Sequence, residues 1–245
     1  MKSVDAVILA GGLGSRLQEV VSDRPKPLAI IKGRPFLDIL IDDLTNQGFR
    51  RIILCVGHQR QQIIDRYSSR TDAQFAFSEE RTLLGTGGAV RHAASLISSN
   101  PFLLLNGDSY CKVDFHKLLA FHNQSEALAT IVVTDARGRT DGGLIELDTD
   151  SRRIKAFREK AAPVSGGHHV INAGIYALSG KLPGSWRQPD PLSLERDVFP
   201  RLAAEGLCHG FLVGSEVIDI GTPERYAAAQ NLLPGETASS ADSGK

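Results

Sequence analysis

Short apolar, β-branched runs alternate with segments of helical period through the first 135 residues, and that rhythm limits the fold more than any other feature. Residues 4–10 (VDAVILA) have the pattern of a strand buried on both faces. Phe36, Leu37, Leu40, Ile41 and Leu44 fall on one side of a helix. Residues 52–56 (IILCV) form a second buried run, Ile63, Ile64 and Tyr67 suit a short helix, and residues 73–77 read as a third strand. Residues 87–97 read as a helix opening on glycines, 102–105 (FLLL) as a fourth strand, 115–122 as a helix and 128–134 (LATIVVT) as a fifth strand. Such alternation predicts an α/β fold with a doubly wound, mostly parallel sheet. Beyond about residue 140 the rhythm changes. Residues 144–147, 154–157 and 173–178 are strand-like with few helices between them, which predicts a mixed-strand extension. Residues 194–204 and 223–233 read as helices, and 234–245 (PGETASSADSGK) as a flexible tail. A chain of 245 residues suits one α/β domain, here 1–233 with halves meeting near 140, since no linker composition marks the changeover.

The charge balance restricts partners. Twenty-eight basic and 28 acidic residues cancel, which disfavours a nucleic-acid or membrane-surface protein. Any anionic ligand must therefore be held by local basic residues. No apolar stretch approaches the roughly 20 residues of a membrane span, and the start lacks a signal-peptide layout. Cys55, Cys111 and Cys208 are odd in number and far apart, so neither a disulfide framework nor a zinc spacing is expected. A soluble protein in a reducing, cytoplasmic compartment is the expectation.

The 24 glycines are in excess, and their positions carry the functional reading. Ala10-Gly11-Gly12-Leu13-Gly14-Ser15-Arg16-Leu17 follows the first strand at its carboxyl end, where α/β sheets bind ligands. Glycines there let backbone N–H groups face a phosphate, and Arg16 adds a planar, permanently charged fork. A tight turn without a ligand would read the same. The loop is not a dinucleotide fingerprint, which would need glycine at Leu17, and it lacks the ending of a P-loop. Pro25 and Pro27 fix the backbone around Lys26 and discourage a helix there.

AGGLGSRL followed by RPKPL resembles the amino-terminal signature of the sugar-1-phosphate nucleotidylyltransferases. Counterparts of that family's later motifs follow in order at Gly85-Thr86-Gly87-Gly88-Ala89, Asn106-Gly107-Asp108, Glu159-Lys160, Asn172-Ala173-Gly174 and Asp219-Ile220-Gly221-Thr222-Pro223. The resemblance covers roughly residues 3–232. It is nearest to the branch of guanylyltransferases acting on D-glycero-D-manno-heptose 1-phosphate, on AGGLGSRLQEVVSDRPKPLA, GRPFLD, LLNGDSY and INAGIY. It implies a Rossmann-like sheet with a sugar-binding extension, and Mg²⁺-dependent transfer of a nucleotidyl group from GTP to a sugar 1-phosphate with release of pyrophosphate. Uridylyl, thymidylyl or cytidylyl transfer and a non-catalytic nucleotide-sugar sensor are the competing readings. A homo-oligomer is compatible with the resemblance, since relatives are often dimers or tetramers.

Residue by residue, the resemblance implies that Gly11, Gly12, Gly14 and Ser15 cradle the triphosphate with Arg16 on the leaving pyrophosphate. Lys26 would bridge the two substrates' phosphates. Asp108 and Asp219 would hold Mg²⁺, although turn and cap roles would favour the same residues. Gly85, Thr86 and Asn106 would line the nucleotide. Glu80 would accept from guanine N1–H and N2–H₂ together, with Glu79 as its rival and a solvated glutamate as the bland alternative. Gly143, Glu159, Lys160 and Asn172 would take the sugar phosphate. Ala161 departs from the proline usual in relatives, and Ser15 stands where threonine is usual. Asp114 and Glu195 are the remaining acidic candidates.

Overall fold

A computed structural model describes residues 1, 3–136, 144–158 and 169–233. The first half runs through β1 (Ala6–Ala10), β2 (Ile30–Ile31), β3 (Arg34–Pro35), α1 (Phe36–Asn46), β4 (Arg51–Val56), α2 (Arg60–Tyr67) and β5 (Gln74–Glu79). It continues with α3 (Gly85–His92), β6 (Phe102–Asn106), β7 (Ser109–Tyr110), α4 (Phe115–Gln124) and β8 (Ala129–Asp135). The second half contains β9 (Leu144–Leu147), β10 (Ile154–Arg158), β11 (His169–Leu178), α5 (Leu182–Ser185), α6 (Phe199–Ala204), β12 (Cys208–Val213), β13 (Ile218–Asp219) and α7 (Pro223–Leu232). No helix of the described residues is long and apolar enough to cross a membrane.

One nine-stranded sheet takes strands from both halves. Its parallel part runs β5-β4-β1-β6. β1 lies in the middle, and its alternation feeds two layers. Ala6, Ile8 and Ala10 join an apolar cluster with the Phe36, Leu37, Leu40, Ile41 and Leu44 face of α1. Val7 joins the opposite cluster with Ala89 and Val90 of α3. Covering on both faces is the reason these strands read as continuous apolar runs.

The fifth strand departs from a simple parallel series. β8 does not join β6. Residues 175–178 of β11 pair antiparallel with β6 instead, and β8 lies beyond, antiparallel to β11 and parallel to β12. Both runs are apolar on both faces, so hydropathy does not decide which one covers β6. The predicted 194–204 helix is likewise two pieces, a wide turn over Leu194–Val198 leading into α6.

The second half of the sheet curls. β11 pairs with β9 near its start, and β9 pairs with β10. The turn between β9 and β10 then returns to the outer edge of β12, where Gly210 N donates to Arg152 O at 2.8 Å. An edge that would otherwise expose unpaired backbone is thereby covered. A Cβ on Gly210 would lie 2.6 Å from Leu147 Cδ1, so a larger residue there would displace the Leu147 side chain.

The amino end of β1 is pinned by a buried carboxylate. Asp5 accepts from Arg51 Nη1 at 2.6 Å, Ser98 N at 2.6 Å, Ser98 Oγ at 3.0 Å and Ser99 N at 3.0 Å. Burial opposes its ionisation, but these donors together outweigh burial and hold its carboxyl below the ordinary value. Asp5→Ala should cost about 2 kcal/mol in urea unfolding at neutral pH, since it leaves these donors without an acceptor. A lowered folded-state pKa means the contribution is present at neutral pH and lost on acidification. The gap between variant and parent should therefore narrow as the pH falls below about 4.

Candidate active site

β1 and β6 are neighbours, but the chain leaves them toward opposite sides of the sheet, toward β4 after β1 and away from it after β6. Such a reversal opens a crevice at the carboxyl ends of the strands. A cavity of about 450 Å³ occupies it, lined by Gly11, Gly12, Gly14, Lys26, Glu80, Gly85, Thr86, Asn106 and Asp108 among others. Nine of the residues predicted from sequence thus meet in one place, at the carboxyl ends of β1, β5 and β6 and the segments that follow them.

The glycine loop does not open a helix. Residues 15–20 run as turns, anchored by the buried Leu17 and Val21. The three glycines have different reasons to be there. A Cβ on Gly11 would lie 2.0 Å from Glu80 Oε1, and one on Gly14, whose φ is +62°, would lie 2.9 Å from Lys26 Cβ. A Cβ on Gly12 would meet nothing within 4 Å. Gly11 and Gly14 are fixed by internal packing, and Gly12 offers its face to the crevice. Ser15 and Arg16 are exposed and lie off the cavity wall. Arg16 reaches instead toward the turn after Asp219, its Nη2 being 3.9 Å from where a Gly221 Cβ would stand.

Lys26 departs from expectation in its backbone. The two prolines do not exclude a helix, because Lys26–Leu28 forms one 3₁₀ turn with Pro25 as its cap. Prolines are tolerated there, where no intrahelical N–H is needed. The Lys26 ammonium donates to Asp108 Oδ2. Asp108 Oδ1 accepts from Ser109 Oγ at 3.1 Å.

Asp219 is brought to the same place by backbone pairing. β13 pairs antiparallel with β7, Asp219 opposite Ser109, and Ile220 N donates to Asp108 O at 3.0 Å. Arg225 Nη1 donates to both Asp219 oxygens, at 3.1 and 3.2 Å. Arg225 escaped the sequence reading. Its signal is the Thr222-Pro223 helix start, which puts it in the first turn of α7 with Asp219 just upstream. No cluster of three metal-ligating side chains occurs among the described residues. Asp108 lines the crevice and Asp219 stands off its wall, in the strand paired beside it; one carboxylate at the crevice with a second alongside fits Mg²⁺, which takes one or two carboxylates and completes its shell with water and substrate oxygens.

Glu80, not Glu79, faces the cavity. Glu79 is exposed and paired with Arg60 Nε at 3.0 Å. Glu80 is 9% exposed, its Oε2 accepting from Leu84 N at 3.2 Å. Burial, with Asp190 adding to it, pushes the Glu80 carboxyl above its usual range. The nearby Cys55 thiol, also on the cavity wall, is pushed up by burial to about 12 and so stays protonated, which excludes it as a nucleophile at neutral pH.

The small residues opening α3 also have a packing role. Gly87 N and Gly88 N donate to Leu192 O at 2.8 and 3.2 Å, and a Cβ on Gly85 would lie 2.4 Å from that same oxygen. Their bare faces admit the 190–192 segment, while Gly85 and Thr86 stay on the cavity wall. The Thr86 hydroxyl accepts from Leu194 N at 2.9 Å and donates to Glu195 Oε2 at 2.8 Å. Glu195 is thereby tied to a residue of the cavity wall, whereas Asp114 caps α4 by accepting from Lys117 N. Asn172 stands off the cavity wall, and its Nδ2 donates to the Tyr176 hydroxyl at 2.9 Å. Gly143, Glu159 and Lys160, like the predicted tail 234–245, lie outside the described residues.

A family model described as nucleotidyl transferase matches residues 5–235. The chain belongs to that family. The nucleotidyl transferase is 32% identical over 231 residues to D-glycero-alpha-D-manno-heptose 1-phosphate guanylyltransferase of Aneurinibacillus thermoaerophilus, covering 94% of this chain and 98% of that one. It is 34% identical over 229 residues to the mannose-1-phosphate guanylyltransferase catalytic subunit beta of Danio rerio, but spans only 62% of that protein. The crystal structure of HddC from Yersinia pseudotuberculosis complexed with GMP-PN superposes with a TM-score of 0.79 at 34% identity, covering 94% of this chain and 99% of its own.

The raised Glu80 pKa makes a stability prediction for this nucleotidyl transferase. An ionised, buried carboxylate costs the folded state at neutral pH and ceases to do so once protonated. Glu80→Gln keeps an acceptor for Leu84 N and removes the charge. Its melting temperature should exceed the parent's by roughly 1–3 °C at pH 7, with the difference shrinking on acidification in calorimetric scans.

Proposed function

We propose that this protein transfers the GMP moiety of GTP to a sugar 1-phosphate, D-glycero-D-manno-heptose 1-phosphate foremost, releasing pyrophosphate. The observation that carries the reading is the layout of the crevice. Gly12, the open glycine, lies between a buried carboxylate, Glu80, and the Lys26–Asp108 pair. A nucleotide laid along the loop would present its base to Glu80 and its phosphates to Lys26. Two oxygens on one carboxylate match the N1–H and N2–H₂ of guanine, a pair that uracil and thymine lack. The guanylyltransferase names of relatives at 32% and 34% identity support the same base, and the heptose name supports the sugar.

The chemistry asks little of a general base, because the attacking phosphate oxygen is already an anion. That oxygen forms a bond to the α-phosphorus in line as the bond to the pyrophosphate oxygen breaks. What the step needs is alignment and neutralisation of two anions. Lys26 would contact the α-phosphate and the incoming phosphate. Arg16 would hold the departing pyrophosphate, with backbone N–H groups of Gly11, Gly12, Gly14 and Ser15 around the triphosphate. Gly85, Thr86 and Asn106 would close the nucleotide's wall. Gly143, Glu159, Lys160 and Asn172 would serve the sugar phosphate. Asp108 and Asp219 would hold Mg²⁺, which when bound supplies further neutralisation of the phosphates.

Pyrophosphate release is measured over a panel of GTP, UTP, dTTP and CTP against heptose, mannose and glucose 1-phosphates. GTP with the heptose phosphate and Mg²⁺ should be the best combination. Preference for mannose 1-phosphate would move the sugar assignment, and silence across the panel would end the transferase reading. In the same assay Asp108→Asn should lower turnover by about a hundredfold or more, through lost metal and charge placement. Glu80→Gln should reduce the preference for GTP over UTP by roughly tenfold, the scale of one well-placed polar contact. An unchanged preference would remove Glu80 from base recognition.

A further inference from the structure

Tyr176 is fully buried, yet its hydroxyl is the meeting point of polar groups from three separate elements. Asn172 Nδ2, on the same strand, donates to it at 2.9 Å. The Asn106 side chain, from the end of β6, approaches it as well and favours its ionised form. The hydroxyl donates to Glu195 Oε1 at 3.4 Å, in the turn before α6. The other Glu195 oxygen accepts from Thr86 Oγ1 at 2.8 Å and Ser193 Oγ at 3.1 Å. Burial raises the Tyr176 pKa well above its usual value, so the phenol keeps the proton it donates.

This junction depends on a local irregularity. Four residues of regular strand span about 13 Å, which would part Asn172 from the Tyr176 ring. The register of β11 against β8 shifts between these two residues, and Gly174 sits in the shift with φ +74°. Gly174 N donates to Asn172 Oδ1 at 2.8 Å, which leaves the Nδ2 end of the amide for Tyr176. A Cβ at Gly174 would lie 3.0 Å from Asn106 Nδ2, so the same glycine admits the second amide. Asn106 Oδ1 is then left buried without a partner, on a side chain that lines the cavity.

We infer that Tyr176 is a positioning residue for the acceptor side of the site, its hydroxyl, held by Asn172 and Glu195, fixing which end of Asn106, on a wall that nucleotide and acceptor share, faces a bound sugar 1-phosphate. The inference rests on the sugar-1-phosphate reading above. An oriented amide with a free oxygen suits a ring carrying many hydroxyls, because that end can only accept. A site built on such fixed groups discriminates by leaving them unpaired when the hydroxyl pattern is wrong. The apolar body of Tyr176 has a separate task, packing on Phe199 with ring centroids 5.0 Å apart. Tyr176→Phe preserves that stack and removes only the hydroxyl.

The test compares Tyr176→Phe with the parent by steady-state kinetics against each substrate. KM for the sugar 1-phosphate should rise about tenfold, with KM for GTP held within about twofold, the loss expected for misaligned polar contacts. An unfolded fraction would lower kcat and leave both KM values unchanged, so folding does not imitate the result. Glu195→Gln, which alters the acceptor of the same hydroxyl, should show the same selective rise. Unchanged or equally raised KM values in both variants overturn the inference. Failure of the guanylyl reading shows separately, as no GTP-dependent pyrophosphate from the parent. Calorimetric binding of D-mannose 1-phosphate then decides, and either equal binding by parent and variant or binding by neither overturns the role of Tyr176.

Discussion

The pairing of β1 with β6 is the constraint on which the site depends. Gly107 N donates to Leu9 O at 2.9 Å, and a Cβ on Gly107 would come within 2.5 Å of that carbonyl. The two strands therefore stay in register to their last residues, and the chain must then part abruptly. Everything chemical follows from that parting. One branch carries the glycine loop and Lys26, the other carries Asn106 and Asp108, and the Lys26–Asp108 ion pair closes the gap between them. Burial of β1 on both faces supplies the rigidity that lets loops hold polar groups in place.

The two sides of the crevice are built by different physics. One side is made of charges that neutralise one another, Lys26 with Asp108 and, beside them, Arg225 with Asp219. Each carboxylate is already in contact with a cation, so any metal or phosphate arriving there exchanges charge partners and does not meet bare charge. The opposite side is a directional hydrogen-bond network around Thr86, Asn106, Asn172 and Tyr176, with Glu195 as its one acidic member. Charge is tolerant of small displacement, whereas hydrogen-bond direction is not. That contrast suits a nucleotidyl transferase, in which the phosphates are common to all substrates and the hydroxyl pattern is not.

Legibility in the sequence followed the range of the interaction. β1, α1 and β4 could be read because a period of two or of 3.6 residues is local. Gly12, Lys26 and Asp108 could be placed because each stands at the end of such a run or beside a proline. The position of β11 against β6 could not be read, since β8 offers an equally apolar partner. Nor could the contact between Thr86 and Glu195, 109 residues apart, which needs the sheet order before it can exist. The glycines of α3 show the finer limit. Their smallness was visible, but the 190–192 segment that fills their space was not.

The last helix reaches back to the first loop. Tyr226 Oη and Gln230 Nε2 both donate to Ile30 O, at 2.7 and 2.8 Å, only four residues after Lys26. Asp219 enters the site just ahead of that helix. During synthesis the glycine loop and Lys26 emerge early, yet the brace that steadies them and the second carboxylate come from the final quarter of the chain. The crevice consequently cannot be completed until α7 has emerged, and a ribosome-bound fragment ending before α7 would present the loop without its brace.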